Sequence, residues 1–181
     1  MRNELRLGTR ESHQRLDLFV GSLSPFGSDR AYRVYLTAMN SLYRVYGDSL
    51  GWASKQAGLP CPVAGLLNAI ESDFGGPVPD SGAMPEGSAT TEQRWAAAYV
   101  LEGSAMGARY LSRELNETSL PSAFLTKLAA DSHDRWPKFV AALDEADCDV
   151  QTTVAAAVGV FDFVRKRFVE LADGAGISPA Q

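Results

Sequence analysis

Apolar residues recur along this chain at three- and four-residue spacing, and no stretch alternates apolar with polar residues as a half-buried strand does. That pattern leaves helices as the means of burying a core. It is clearest in Tyr32, Tyr35, Leu36, Met39, Leu42, Tyr43 and Tyr46, and again in Val154, Val158, Phe161, Val164, Phe168 and Leu171. Asp29 is the expected cap of the first of these helices and Asp149 of the second, which Gly174 and Gly176 end. Residues 3–20 read as one amphipathic helix with Leu5, Ser12, Leu16, Phe19 and Val20 inward, broken by Gly21, Pro25 and Gly27. The segment from Gly47 to Gly58, which holds Trp52, continues helically, and a shorter helix over 62–73 turns Val63, Leu66, Leu67 and Ile70 inward.

Residues 75–88 form a loop rich in Gly, Pro and Ser, with helices on both sides, and so connect parts of one domain. Thr90-Thr91-Glu92-Gln93 has the spacing of a capping box and opens a helix running to about Leu115. Pro121 fits the first turn of a further helix that reaches His133. Asp134 is the expected cap of the next, with Pro137 in its first turn, where a missing N–H does little harm. The expectation is one all-α domain over residues 1–181, of seven to eight helices, with its core at about 3–172 and a short C-terminal tail.

The helix from Thr91 carries two interior glycines, Gly103 and Gly107, four residues apart and therefore on one face. Each costs roughly 1 kcal/mol relative to alanine. Two readings account for them. Small residues permit close helix–helix packing; equally, a flat ligand lies against the bare backbone, with a bend at Gly103, Ser104 or Gly107.

Composition removes several function classes. A net charge of −5 argues against a general nucleic-acid binder, which needs a basic footprint. No apolar run approaches the length of a membrane span, and the charged N-terminus has no apolar core of a signal peptide. Cys61 and Cys148 are isolated, which fits a reducing, cytoplasmic compartment. Ser104 follows no strand, so a nucleophile elbow is unsupported.

Only two histidines are present. His13 shares a helix stripe with Arg6 and Arg10, and a neutral imidazole on a half-buried helix is a good axial ligand for haem iron. Guanidinium groups beside it suit carboxylates. The same arginines, with Arg15, also read as a solvated face pairing with Glu11 and Asp17. His133 follows a helix among charges and reads as a surface residue that complements a helix dipole. Two distant histidines without a Glu-x-x-His pair do not make a di-iron site.

The sequence LRLGTRESHQRLD, followed about 90 residues later by AYVLEGSAMGARYL, resembles the bacterial haem oxygenases, closest to those that accompany bacterial phytochromes or haem-iron uptake. The resemblance implies haem b as both substrate and cofactor, with His13 as the proximal iron ligand and Gly103 and Gly107 on the distal helix over the haem. It puts Ser104 where mammalian-type members carry an aspartate, leaving Ser104 or backbone carbonyls to order water there. It makes Arg6, Arg10, Arg165, Lys166 and Arg167 the basic groups available to the propionates, and adds Tyr99 to the haem-contacting residues. The implied reaction consumes O2 and yields biliverdin, carbon monoxide and ferrous iron. Electrons come from a ferredoxin or flavin reductase, since this chain has no flavin or iron–sulfur motif, and a bacteriophytochrome is an implied recipient of the product. Three other functions compete: a haem carrier on the same fold, a thiaminase-like hydrolase using Cys61 or Cys148, and a structural helical partner that binds no haem.

Overall fold

Eight helices make up the computed structural model, which describes residues 1–79, 89–130 and 132–178, and no strand occurs among those residues. In chain order they are α1 (Arg2–Gly8), α2 (Arg10–Ser22), α3 (Asp29–Gln56), α4 (Val63–Phe74), α5 (Thr91–Asn116), α6 (Ala123–Ala130), α7 (Ser132–Glu145) and α8 (Val150–Gly174). The all-α expectation holds. Part of the expected loop, 80–88, and the last three residues of the expected tail lie outside the described residues.

The long helices α3, α5 and α8 pack on one another and enclose the core, while the shorter ones cover its flanks. The aromatic stripe of α3 is spent on that packing. Tyr35 meets Phe168, Tyr46 meets Phe163 and Tyr43 meets Phe124, with ring centroids 5.4–6.1 Å apart. α3 continues through Gly47 and Gly51 because α4 approaches there. A Cβ on Gly47 would stand 2.9 Å from Val63, and one on Gly51 3.3 Å from Cys61. The capping box of α5 is present as read, with Thr90 Oγ1 accepting from Gln93 N and Gln93 Oε1 accepting from Thr90 N. Asp149 caps α8 by accepting from Thr152 N at 2.7 Å.

Four local expectations are corrected. The single helix over 3–20 is two helices that meet at Thr9. There the Thr9 hydroxyl donates to Leu5 O at 2.7 Å beside its own backbone N–H, the local competition that bends helices. Gly8, just before the bend, lies against Val154 of α8, and a Cβ would collide with it. The cap of α3 is Ser28, whose hydroxyl accepts from Ala31 N, and Asp29 is the first helical residue, paired with Arg33 at 2.9 Å. The helix expected to run from Pro121 to His133 begins at Ala123 and ends at Ala130, so His133 belongs to the start of α7. Asp134 then lies in the first turn of α7, and Pro137 lies within the helix.

α6 takes its N-terminal cap from another helix. Asp73, buried near the end of α4, accepts from Ala123 N and Phe124 N at 2.9 Å each, and from the Tyr32 hydroxyl at 2.9 Å. One carboxylate thus ties α3, α4 and α6 together, and burial with the Asp73 charge pushes the Tyr32 phenol well above its usual range. Hydrogen bonds to a charged group contribute about 1.5–3 kcal/mol each, and a stranded buried partner adds to the loss. Asp73→Ala is expected to destabilise the protein by roughly 3 kcal/mol in urea unfolding. A change below about 1 kcal/mol would show that the three-helix tie is dispensable.

Candidate functional site

α2 and α5 both pack on α8 and do not pack on each other. On α8, Phe161 faces α2, and the buried run of Thr153, Ala157, Val160, Val164 and Phe168 lies beside it. A groove therefore runs between α2 and α5, with α8 as its floor. It is drawn together at one end, where Tyr99 of α5 meets the α1–α2 junction. Burial raises the Tyr99 phenol pKa, while the nearby Thr9 hydroxyl and the charges of Arg2 and Arg6 lower it.

Tyr99, Gly103 and Gly107 follow one another at four-residue spacing, so they line one face of α5. A Cβ at Gly103 or Gly107 would meet nothing within 4 Å. These glycines therefore make no close helix–helix contact, in contrast to Gly8 and Gly47. The bare strip is flanked by Met106 and Tyr110, 40% and 73% exposed, although both are large apolar residues. α5 remains one α-helix through both glycines. The Ser104 hydroxyl donates to Leu101 O at 2.7 Å, a bond within its own helix.

On the other wall, His13 is exposed at 58% and its ring meets Phe161 edge-on at 5.5 Å. Its Nδ1 lies 2.8 Å from Asp17 Oδ2, one helical turn on. A proton held on Nδ1 by that carboxylate leaves Nε2 with a free lone pair, the tautomer a metal needs. Asp17 is the partner of His13 that sequence reasoning missed, reading it only as a mate for arginines. The His-x-x-x-Asp spacing on a helix was the available signal.

The basic residues divide. Arg6 and Arg10 are exposed and make no ion pair with described residues, although the bend at Thr9 puts them on separate helices. Arg165 lies one turn beyond Phe161 on the same face of α8, also without an ion pair among the described residues. Arg167 lies round the helix and is paired with Glu170, which also stands 3.9 Å from Lys166. Arg165 is thus the base of α8 placed toward His13.

Beside Gly103, the Glu102 carboxylate is buried and bonded twice to Arg135 of α7, at 2.5 and 3.4 Å. Arg135 also donates to Pro60 O and Ser54 Oγ, fastening α5 to α3 and the α3–α4 connection. Sequence reasoning had no signal for a pair 33 residues apart. Burial, together with the nearby Glu92 and Asp147 charges, pushes the Cys148 thiol up and away from nucleophilic character. His133 is exposed and lines a surface hollow with Arg109 and Thr126.

No family model matches the sequence, and no curated protein does. Among solved structures, the NO- and CO-bound haem oxygenase from Neisseria meningitidis superposes with a TM-score of 0.79 at 20% sequence identity, over 97% of this chain and 92% of that one. The chain has the haem oxygenase fold. No helix among the described residues is long and apolar enough to cross a membrane.

The open strip makes a stability prediction opposite to the packing explanation. Gly103→Ala and Gly107→Ala should each stabilise the ligand-free protein, by roughly 0.5–1 kcal/mol, through helix propensity alone. Loss of stability in thermal or urea melts would mean that the strip is packed in solution.

Proposed function

We propose that this chain is a haem oxygenase that holds haem b in the groove between α2 and α5. The observation that supports this reading best is the pair of glycines turned to open space on α5, with an exposed histidine on α2 whose Nδ1 is 2.8 Å from Asp17. The residues fit the group. A flat macrocycle needs a wall without side chains, an imidazole with a free nitrogen and cations for its carboxylates.

His13 would ligate the iron through Nε2, with Asp17 holding the ring orientation and adding basicity to the imidazole. Arg6, Arg10 and Arg165 are the cations available to the propionates, and Tyr99 closes the end of the groove beside Arg6. Haem, when bound, supplies both the iron at which O2 is reduced and the ring that is oxidised. Gly103 and Gly107 leave room above the macrocycle where any larger residue would project. Ser104 spends its own proton on Leu101 O, so it offers an acceptor oxygen to water near that wall. The products are biliverdin, carbon monoxide and ferrous iron, with electrons from a separate ferredoxin or flavin reductase. A cytoplasmic setting and delivery of biliverdin to a bacteriophytochrome belong to the same proposal.

A haem carrier would use the same groove, and turnover separates the two readings. Haem added to the purified protein should give a histidine-ligated Soret band, and a reductant in air should replace it with biliverdin absorbance. His13→Ala should lose that ligation and lower turnover at least about tenfold, a barrier increase of about 1.4 kcal/mol. A stable haem complex that forms no biliverdin would make the protein a carrier. An unchanged spectrum in His13→Ala would remove His13 from the site.

A further inference from the structure

We propose that Tyr110 is a positioning residue of the groove, one that closes on the edge of the bound macrocycle and fixes its in-plane position. This rests on the reading that haem occupies the groove, and it names the residue that stops the ring from turning there. Tyrosine use in this chain sets Tyr110 apart. The chain has six tyrosines. Tyr32, Tyr35, Tyr43, Tyr46 and Tyr99 each pack against another aromatic ring. Tyr110 makes no ring contact among the described residues, and at 73% it is the one exposed tyrosine of the six. A single exposed ring is ordinary on a protein surface. Its place on α5 is what gives this one a use.

Tyr110 follows Tyr99 by three helical turns plus about 20°, so the two share one face of α5, roughly 16 Å apart along its axis. Gly103 and Gly107 lie between them on that face, and Leu101, Ala105 and Ala108 are buried on the opposite one. The outward face therefore reads aromatic, bare, bare, aromatic. Its two ends differ. Tyr99 is half-buried and already seated, with its ring 5.9 Å from Trp136. Tyr110 is not. Helical side chains lean toward the N-terminus, so the surface Tyr110 can cover is the turn that holds Met106 and Gly107. A Cβ on Gly107 would meet no atom within 4 Å, so the ring does not cover that turn in this structure. Room is left between ring and strip, and a hop between staggered χ1 wells swings the ring along that face.

The site needs such a contact. An imidazole ligand such as His13 holds a macrocycle at its centre, about which the ring can still rotate. A strip of glycine backbone offers that ring no lateral stop. Arginines meet carboxylates from long flexible stems, so they tolerate a range of ring angles. An aromatic side chain has only two χ angles to fix and supplies a large, rigid contact at low entropic cost. Tyr99 is such a stop at one end of the bare strip, and Tyr110 supplies the other.

The test is a footprint on the full-length protein: tyrosine acetylation by N-acetylimidazole, followed by peptide mass spectrometry. Without haem, Tyr110 should be acetylated first. Free haem b at about ten times its Kd leaves roughly one-tenth of the protein unbound, and should slow that modification about tenfold. Tyr110→Ala should weaken haem binding several-fold in a Soret titration. It should also change the spread of the haem-methyl NMR shifts in the cyanide-bound ferric complex, which reports the angle between the macrocycle and its axial imidazole. Tyr110→Phe keeps the ring and should restore both. Equal acetylation of Tyr110 with and without bound haem would overturn the proposal, and so would an unchanged methyl pattern in Tyr110→Ala. A Soret band with Tyr110 unprotected removes Tyr110 alone, whereas no Soret band at all removes the haem reading and this proposal with it.

Discussion

The buried ion pair between Glu102 and Arg135 is the contact on which the rest of the arrangement turns. A carboxylate taken out of water is tolerable only when it is paired and fully hydrogen-bonded, and removing one partner of such a pair typically costs 3–5 kcal/mol. Arg135 meets that demand, and its remaining donors reach Ser54 and Pro60 O. α5 therefore cannot roll about its axis without exposing or orphaning Glu102. Since Gly103 is the next residue, about 100° round the helix, fixing Glu102 inward fixes the direction in which the glycine strip faces. The bare wall of the groove is a consequence of a charge buried on the other side.

Glycine has two uses in this molecule. At Gly8, Gly47 and Gly65 it admits a neighbour, a valine or the stem of a lysine, that a methyl group would displace. At Gly103 and Gly107 no neighbour is admitted, and helix stability is given up to leave a surface clear. The letters in the sequence are the same in both cases. What distinguishes them is whether another helix passes within reach, and that is a property of the whole packing arrangement.

The same distinction explains how much was legible from sequence. Helices were, because a 3.6-residue apolar period is written along each segment, as in α3 and α8. The capping box of α5 and the Asp149 cap were also legible, since their partners lie three residues away. Failures came where a local signal was weak or a partner was distant. At Thr9 the apolar period runs through a bend made by one side-chain hydrogen bond, and at Ser28 two adjacent residues were both good caps. α6 is capped by Asp73, fifty residues earlier, which no local rule finds. In the site, His13 and the glycine strip stood out by residue type. Asp17 was visible at helical spacing but was assigned to the arginines. Phe161, which supports the His13 ring, is 148 residues away and appears in the sequence only as one more core aromatic.

That pattern also accounts for a fold shared at 20% identity. A helical core accepts any apolar residues that keep the period and the volume, so most of its positions can change together. The haem site proposed for the groove would ask for little: one histidine with its carboxylate, two positions without side chains and a few cations near the rim. On that proposal the cations would be interchangeable in sequence, because charge at the end of a long flexible stem can meet a carboxylate from several positions. The glycines would not be, because nothing smaller exists. Such a site would rest on a handful of residues spread over three helices, each carried by a short local motif. His13 and the Gly103–Gly107 pair are readable because each is a local pattern of residue types, while Arg135, which holds the Glu102 next to Gly103 in place, lies 33 residues away.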